Sequence, residues 1–262
     1  LAFAWEGIAL ELSDDWAPTA ITGKRSAGYV KLGDGSHRAV QIRWQERKGS
    51  VDLESRLRAY LKLLDRDSRR QKVPLSYELE ESDQGIGYRY QGAFSGRGIA
   101  SADIDPDRII FAEISSTRSE RLSNQHRKVL ATIRPAFDDE REQWTVLGLN
   151  LWLPRHCEPI KREFVSGKTR IVWRKYKSQI EGQRWGLADQ LMQRHPLEEW
   201  AASVTGLKVI SSSPDVVQLE TRQFLGARSM AVVKHQPERN QLTIIKVNSR
   251  WENMRPEESW IG

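Results

Sequence analysis

The sequence predicts an α+β fold made of two tandem copies of one domain, each an antiparallel sheet covered by helices, with approximate two-fold pseudo-symmetry between them. Two observations predict it. The run Trp5-Glu6-Gly7-Ile8-Ala9-Leu10-Glu11-Leu12 returns in rhythm as Trp144-Thr145-Val146-Leu147-Gly148-Leu149-Asn150-Leu151. Later, Phe94-x-Gly96, Ile99-Ala100 and Pro106-Asp107 correspond in order to Phe224-x-Gly226, Met230-Ala231 and Pro237-Glu238, each set followed by an aliphatic strand. Matches in one order, bounded by the same element types, are the mark of a repeated unit. The expected organisation is a first repeat over 1–137, an acidic linker over 138–143, and a shorter, basic second repeat over 144–262.

Each element has a local reason. Ile8, Leu10 and Leu12 alternate with Ala9 and Glu11, the period of a half-buried strand. Tyr29 to Leu32 and Val40 to Trp44 are two more strands, joined through the turn signal Gly33-Asp34-Gly35-Ser36. These three are expected to pair as one antiparallel sheet. Asp52 caps a helix whose buried stripe is Leu53, Leu57, Tyr60, Leu61 and Leu64, and Pro74 prevents its continuation. Strands follow around Leu75–Leu79 and Tyr88–Tyr90, then a hairpin of Ile99–Ile104 and Ile109–Ile114 about Pro106-Asp107. A helix is expected from Arg118 to Ile133.

In the second repeat, Leu147, Leu149, Leu151 and Leu153 alternate as a first strand. Ile171 and Trp173 line up with Ile42 and Trp44, with a tight hairpin around Ser166-Gly167. Helical spacing returns at Leu187, Leu191 and Met192. A second helical piece starts at Pro196 and runs through Leu197, Trp200, Ala201 and Val204 to Gly206. The strand–strand–strand–helix–strands–helix order of both halves resembles the small α+β domains of the Mog1/PsbP-like class. That resemblance implies binding and assembly roles, and it carries no functional residue over to this chain.

The 262 residues are 39% hydrophobic and 29% charged, ordinary for a globular protein. No apolar run approaches the ~20 residues of a membrane-spanning helix. The first residue, Leu1, is not a methionine, which fits removal of a start or targeting segment. One cysteine, Cys157, excludes an internal disulfide framework and makes a cytoplasmic setting the default expectation. The net charge of +6 is uneven. Residues 1–143 balance 23 Lys+Arg against 23 Asp+Glu, whereas 144–262 carry 18 against 12 and seven of the ten tryptophans.

Catalytic patterns are weak. His156 and Cys157 are adjacent, and neighbours in sequence rarely adopt the geometry of a nucleophile and its base. His37, His126, His195 and His235 show no metal-ligand spacing, so neither metal nor cofactor is expected. Gly96-Arg97-Gly98 lacks the lysine and strand–loop–helix setting of a phosphate loop and reads as a strand-end turn. The acid pairs Asp14-Asp15, Glu80-Glu81, Asp138-Asp139 and Glu198-Glu199 read as solvated.

The strongest binding signal is basic and aromatic: Lys161, Arg162, Lys168, Arg170, Arg174, Lys175, Tyr176, Lys177, Arg184 and Trp185. Strand alternation places Arg170, Val172 and Arg174 on one face and Ile171, Trp173 and Lys175 on the other. The leading expectation is a non-catalytic binding or assembly module that engages a protein partner through this stretch. One alternative is a nucleic-acid or other polyanion binder, in which cations hold phosphates and rings stack on bases. Another is an enzyme with its site in a cleft between the repeats, drawing on His37, His126 or acidic side chains.

Overall fold

The computed structural model describes residues 2–13, 15–50, 52–82, 84–118, 124–222, 227–249 and 254–262, without the side chains of 124–127. Phe224 and Gly226 of the expected repeat match, and Trp251 beyond it, lie outside the described residues. Strands account for 55% of the structure and helices for 17%, in antiparallel sheets. This corrects the expected class. The chain is β-rich, and its few helices do not cover its sheets. The chain divides into two compact units, Leu1–Ala136 and Phe137–Gly262.

The first unit opens with a hairpin, β1 (Ala2–Trp5) and β2 (Ile8–Glu11), turned at Glu6-Gly7. Both turn residues have positive φ, +49° and +76°, the backbone pattern of a type I′ turn, which matches the twist of the strands it joins. Seven further strands form one antiparallel sheet in the order β3–β4–β5–β9–β8–β7–β6. They are β3 (Ala17–Lys24), β4 (Ala27–Gly33), β5 (Arg38–Glu46), β6 (Ser76–Ser82), β7 (Gly85–Gln91), β8 (Ser95–Ser101) and β9 (Arg108–Ser116). Between β5 and β6 lies α1 (Leu53–Arg70), where Asp52 caps by accepting from the Ser55 N–H at 3.1 Å. Leu57 and Leu61 of α1 are fully buried against Tyr88, Tyr90 and Ala100. The opposite sheet face buries Val40, Ile42, Trp44, Ile110, Ala112 and Ile114. A short α2 (Asn124–Ala131) and β10 (Arg134–Pro135), which pairs with β2, close the unit.

The expected three-strand sheet is therefore redrawn. Tyr29–Leu32 and Val40–Trp44 pair as expected, but Ile8–Leu12 belongs to the separate hairpin, and the third strand beside Tyr29–Leu32 is β3, which the sequence did not announce. Gly96 and Gly98, expected in a strand-end turn, lie inside β8. There they face Tyr90 and Tyr88 across the β7–β8 pair. A Cβ on Gly96 would fall 2.2 Å from the Tyr90 ring, and one on Gly98 would fall 2.4 Å from Tyr88. The glycines let both rings lie flat on the neighbouring strand.

The second unit repeats the pattern of elements. Its hairpin, β11 (Arg141–Val146) and β12 (Leu149–Pro154), turns at Leu147-Gly148, again with positive φ at both positions. The run from Leu147 is thus a turn followed by a strand, and β11 begins within the segment expected to be a linker. Aligning the two turns places Trp144 opposite Phe3, not opposite Trp5. Trp144 and Phe3 are both buried. The sheet runs β13–β14–β15–β19–β18–β17–β16, the same order as in the first unit. Its strands are β13 (Glu158–Val165), β14 (Lys168–Lys175), β15 (Ser178–Gly186), β16 (Lys208–Ser212), β17 (Val216–Arg222), β18 (Arg228–Gln236) and β19 (Gln241–Ser249).

Trp173 lies on β14, the second strand of its sheet, and Trp44 lies on β5, the third, so the expected alignment of these residues is off by a strand. Trp44 packs on Gly28 of β4, and Trp173 packs on Gly182 of β15. The two units place ring and glycine on exchanged strands. Trp173 also meets Trp144 edge-on at 5.4 Å, while Leu151 of β12 reaches Gly182. On the other face α3 (Ala188–Met192) and α4 (Leu197–Thr205) cover only part of the sheet. Leu197, Trp200 and Ala201 pack on Val217, Leu219, Ala231, Val233, Leu242 and Ile244, leaving β13 and β14 without a helix above them. Pro196 stands at the N-cap and Gly206, with φ +68°, at the C-cap of α4.

Three edge strands are irregular. The register shifts by one residue in β3 between Pro18 and Ala20, in β13 between Pro159 and Lys161, and in β16 between Val209 and Ser211. The fourth edge, β6, keeps its register.

Gly98→Ala should destabilise the first unit by about 1–3 kcal/mol, because both the Tyr88 ring and the Ala112 carbonyl crowd the new methyl group. Urea unfolding followed by tyrosine fluorescence measures this, and an unchanged midpoint would show that the rings do not need the glycine.

Candidate functional site

Alternation on β14 sets Arg170, Val172 and Arg174 on the face that carries α3 and α4, in the part of it that no helix covers, with Lys168 in line. The neighbours on that face follow from register: Glu163 and Gln183 flank Arg170, Lys161 and Glu181 flank Val172, and Glu158 and Gln179 flank Arg174. Carboxylates therefore stand between the cations. Arg170 is the hub. Its Nε and Nη2 donate to the two Glu181 oxygens at 2.6 and 3.0 Å, and its Nη1 donates to Glu163 at 3.1 Å. Lys161 reaches Glu163 at 2.7 Å, and Arg174 reaches Glu158 at 2.9 Å.

The electrostatics follow from these bonds. The Glu181 hydrogen bond raises the Arg170 guanidinium further. Burial pushes the Glu181 carboxyl up, but Arg170 outweighs it through hydrogen bonding and charge, and the group ends below the ordinary range. Lys161 and Arg170 together lower Glu163.

The other expected residues divide between locations. Lys168 places its ammonium 4.2 Å from the Trp185 ring centre. Trp185 meets Trp200 edge-on and donates Nε1–H to Gln183 at 2.8 Å, so it is a shoulder of the α3–α4 core. Arg184 lies on the opposite face and donates to Gln241 at 3.3 Å. Arg162, opposite Ile171 in register, and Lys175 also lie on that opposite face. Tyr176 and Lys177 form the β14–β15 turn, where Tyr176 is 80% exposed.

Cys157 is buried, and its thiol donates to the Pro154 carbonyl at 3.0 Å. Burial pushes this thiol up to about 12, so it is protonated at neutral pH and is no nucleophile. The side chain of His126 lies outside the described residues. Among the described residues, no three His, Cys, Asp or Glu side chains group as metal ligands.

The sequence reading missed a polar cluster in the first unit. Glu113 of β9 is 3% exposed. One of its oxygens accepts from Tyr60 at 2.9 Å and Tyr88 at 3.0 Å, and the other accepts from Tyr90 at 3.3 Å and Gln41 at 3.3 Å. Burial pushes the Glu113 carboxyl up, against the opposing pull of the three tyrosyl hydroxyls and Arg43. Burial and the Glu113 charge together push Tyr88 and Tyr90 well up as well. Arg43 lies 4.9 Å from the Tyr29 ring centre and 5.5 Å from that of Tyr60. The cluster has a sequence signal: an acid inside the apolar strand Ile109–Ile114, and tyrosines two apart facing glycines two apart.

The two seven-stranded sheets compare directly at this place. The central pairs end at Glu46↔Arg108 and at Gly186↔Gln241. Counting inward from those ends sets Gln41 and Glu113 in the positions of Glu181 and Lys246. The first unit seals a carboxylate there under tyrosines, and the second places an ammonium.

No family model matches the chain, and no curated protein or solved structure matches it.

Two outcomes test this geometry. Arg170→Ala should cost about 2 kcal/mol, since it strands two carboxylates of which one is mostly buried, whereas Arg174→Ala should cost under about 0.5 kcal/mol. Equal effects in urea unfolding would remove Arg170 as the hub. Because folding raises the Glu113 value, the native state keeps this proton longer than the unfolded chain. Wild-type stability relative to Glu113→Gln should therefore fall as pH rises from the ordinary glutamate range through the raised native value. A difference that stays flat with pH would contradict the raised carboxyl.

Proposed function

We propose that this chain is a non-catalytic binding or assembly module that engages a protein partner through the part of the α3–α4 sheet face, on β13, β14 and β15, that the helices leave uncovered, with Tyr176 at its margin. The observation that carries the reading is the mixed-charge order of that face. Glu158, Glu163 and Glu181 alternate with Lys161, Arg170 and Arg174, and the pairs are already formed. Such a lattice presents fixed dipoles with little net field. It suits a partner with its own alternating charges, because complementary charge sets register and specificity more than raw affinity. A polyanion fits less well, since its phosphates would approach three carboxylates and would have to break existing ion pairs.

Apolar groups accompany the lattice. Ile160 at the β13 bulge and Tyr176 stand exposed near the Arg174 end, and Val165 is exposed at the other end. Tyrosine and arginine are the residue types that most often anchor protein interfaces. Val172 is buried beneath the charged rows, so the face is well ordered before a partner arrives.

The test uses the intact chain as bait. Arg174→Ala with Tyr176→Ala should abolish capture of the wild-type partner while leaving the unfolding curve in place. Retention of the same partners by this variant would sink the proposal. Nucleic-acid binding that falls steeply with salt and depends on Arg174 would favour the polyanion alternative.

A further inference from the structure

A second feature of the Phe137–Gly262 unit borders the β13–β15 lattice at its Arg174 end. A cleft of about 500 Å3 opens where α4 ends, between its terminus at Thr205-Gly206 and the near ends of β15, β19, β18 and β17. Three cations line it: Lys177 from the β14–β15 turn, Arg228 at the start of β18, and Lys246 on β19. Among the described residues, no aspartate or glutamate lines it. We propose that this cleft binds a small organic oxyanion, a phosphate ester or a carboxylate, held by Lys177, Arg228 and Lys246.

Lys246 is fixed in place by donating to the Thr205 carbonyl at 2.8 Å, and its charge also faces Glu181 across the β15–β19 pair. Its two companions are less committed. Among the described residues, neither Lys177 nor Arg228 enters an ion pair. Arg228 stands opposite Arg222 in register, and Arg222 is held by Glu220 at 3.3 Å. Three positive groups around one recess repel one another, and an anion between them relieves that repulsion. Gln179 and Asn248, directly paired in register, add amide donors at the wall. The recess is of metabolite size, larger than a lone ion needs.

Contrast within the chain sharpens the assignment. The first unit also has a cleft, lined by Glu54, Glu80 and Glu81 with Arg58, so a carboxylate-free cationic lining is no general property of this surface. At the position of Lys246 the first unit carries Glu113, sealed beneath tyrosines. The second unit reverses the sign there and places the charge beside an open recess.

Isothermal titration of the whole chain at low ionic strength, with inorganic phosphate and separately with succinate, tests the site. Saturable 1:1 binding of either is expected, weakened ~10-fold or more by Arg228→Gln and by Lys177→Gln, as loss of a charge-assisted hydrogen bond predicts. Lys161→Gln, on the lattice, should change nothing. The responding probe identifies phosphate or carboxylate as the head group. As a second measure, the side-chain amide resonances of Gln179 and Asn248 should shift on binding. The proposal is overturned by an absence of saturable heat from both probes at millimolar concentration, or by binding that both cleft variants leave intact. Partner capture through Arg174 and Tyr176 is scored separately, so either reading can fail alone.

Discussion

Each seven-stranded sheet depends on one long-range pairing, β5 with β9 in the first and β15 with β19 in the second. On one side of this seam three strands follow each other in sequence, and on the other side four do so in reverse. Without the seam each sheet is two separate meanders with open edges. The pairing joins residues far apart in sequence, such as Val40 and Ile114, so chain entropy opposes it until the rest of the strand pair zips. The crossover that makes it feasible is helical in both units, α1 in one and α3 with α4 in the other. That accounts for the places of α1, α3 and α4, while α2 follows β9.

A strand at the centre of such a sheet is covered on both faces, and a charge placed there must be satisfied from the side. The two units meet this demand differently. Glu113 is surrounded by the hydroxyls of Tyr60, Tyr88 and Tyr90, and the Tyr88 and Tyr90 rings gain room from glycines on β8. Glu181 takes its compensation from Arg170, and Lys246 takes its own from the last carbonyl of α4. One solution is closed and aromatic. The other is ionic and reaches the surface.

Much of the strand pattern could be read in the sequence, because alternation reports burial directly. Val40–Trp44 and Ile109–Ile114 are strands for the reason expected, and Asp52 caps α1 as its position before a helical stripe implies. Class was harder. The β3 strand, Ala-Pro-Thr-Ala-Ile-Thr-Gly-Lys, has no alternation because it is an edge with little to bury. Leu147 looked like strand because a leucine rarely takes positive φ, yet it forms a turn with Gly148. The cations of the β13–β15 region were visible, but Glu158 was not seen as a partner, since only register sets it opposite Arg174. The Glu113 cluster needed the β7–β8 and β8–β9 pairings together, and single-strand patterns do not supply those.

The irregular edges bear on how the chain survives its own folding. A straight edge strand offers unpaired N–H and C=O groups to any other extended segment, including one from another copy. The register shifts next to Pro18 and Pro159, and the shift in β16 beside the exposed Val209 and Ile210, break that template where apolar side chains would favour stacking. The regular edge, β6, instead carries Glu78, Glu80 and Glu81, with Arg89 and Arg97 answering from β7 and β8. In a sheet-rich chain these few outer residues are what disfavours edge-to-edge pairing between copies.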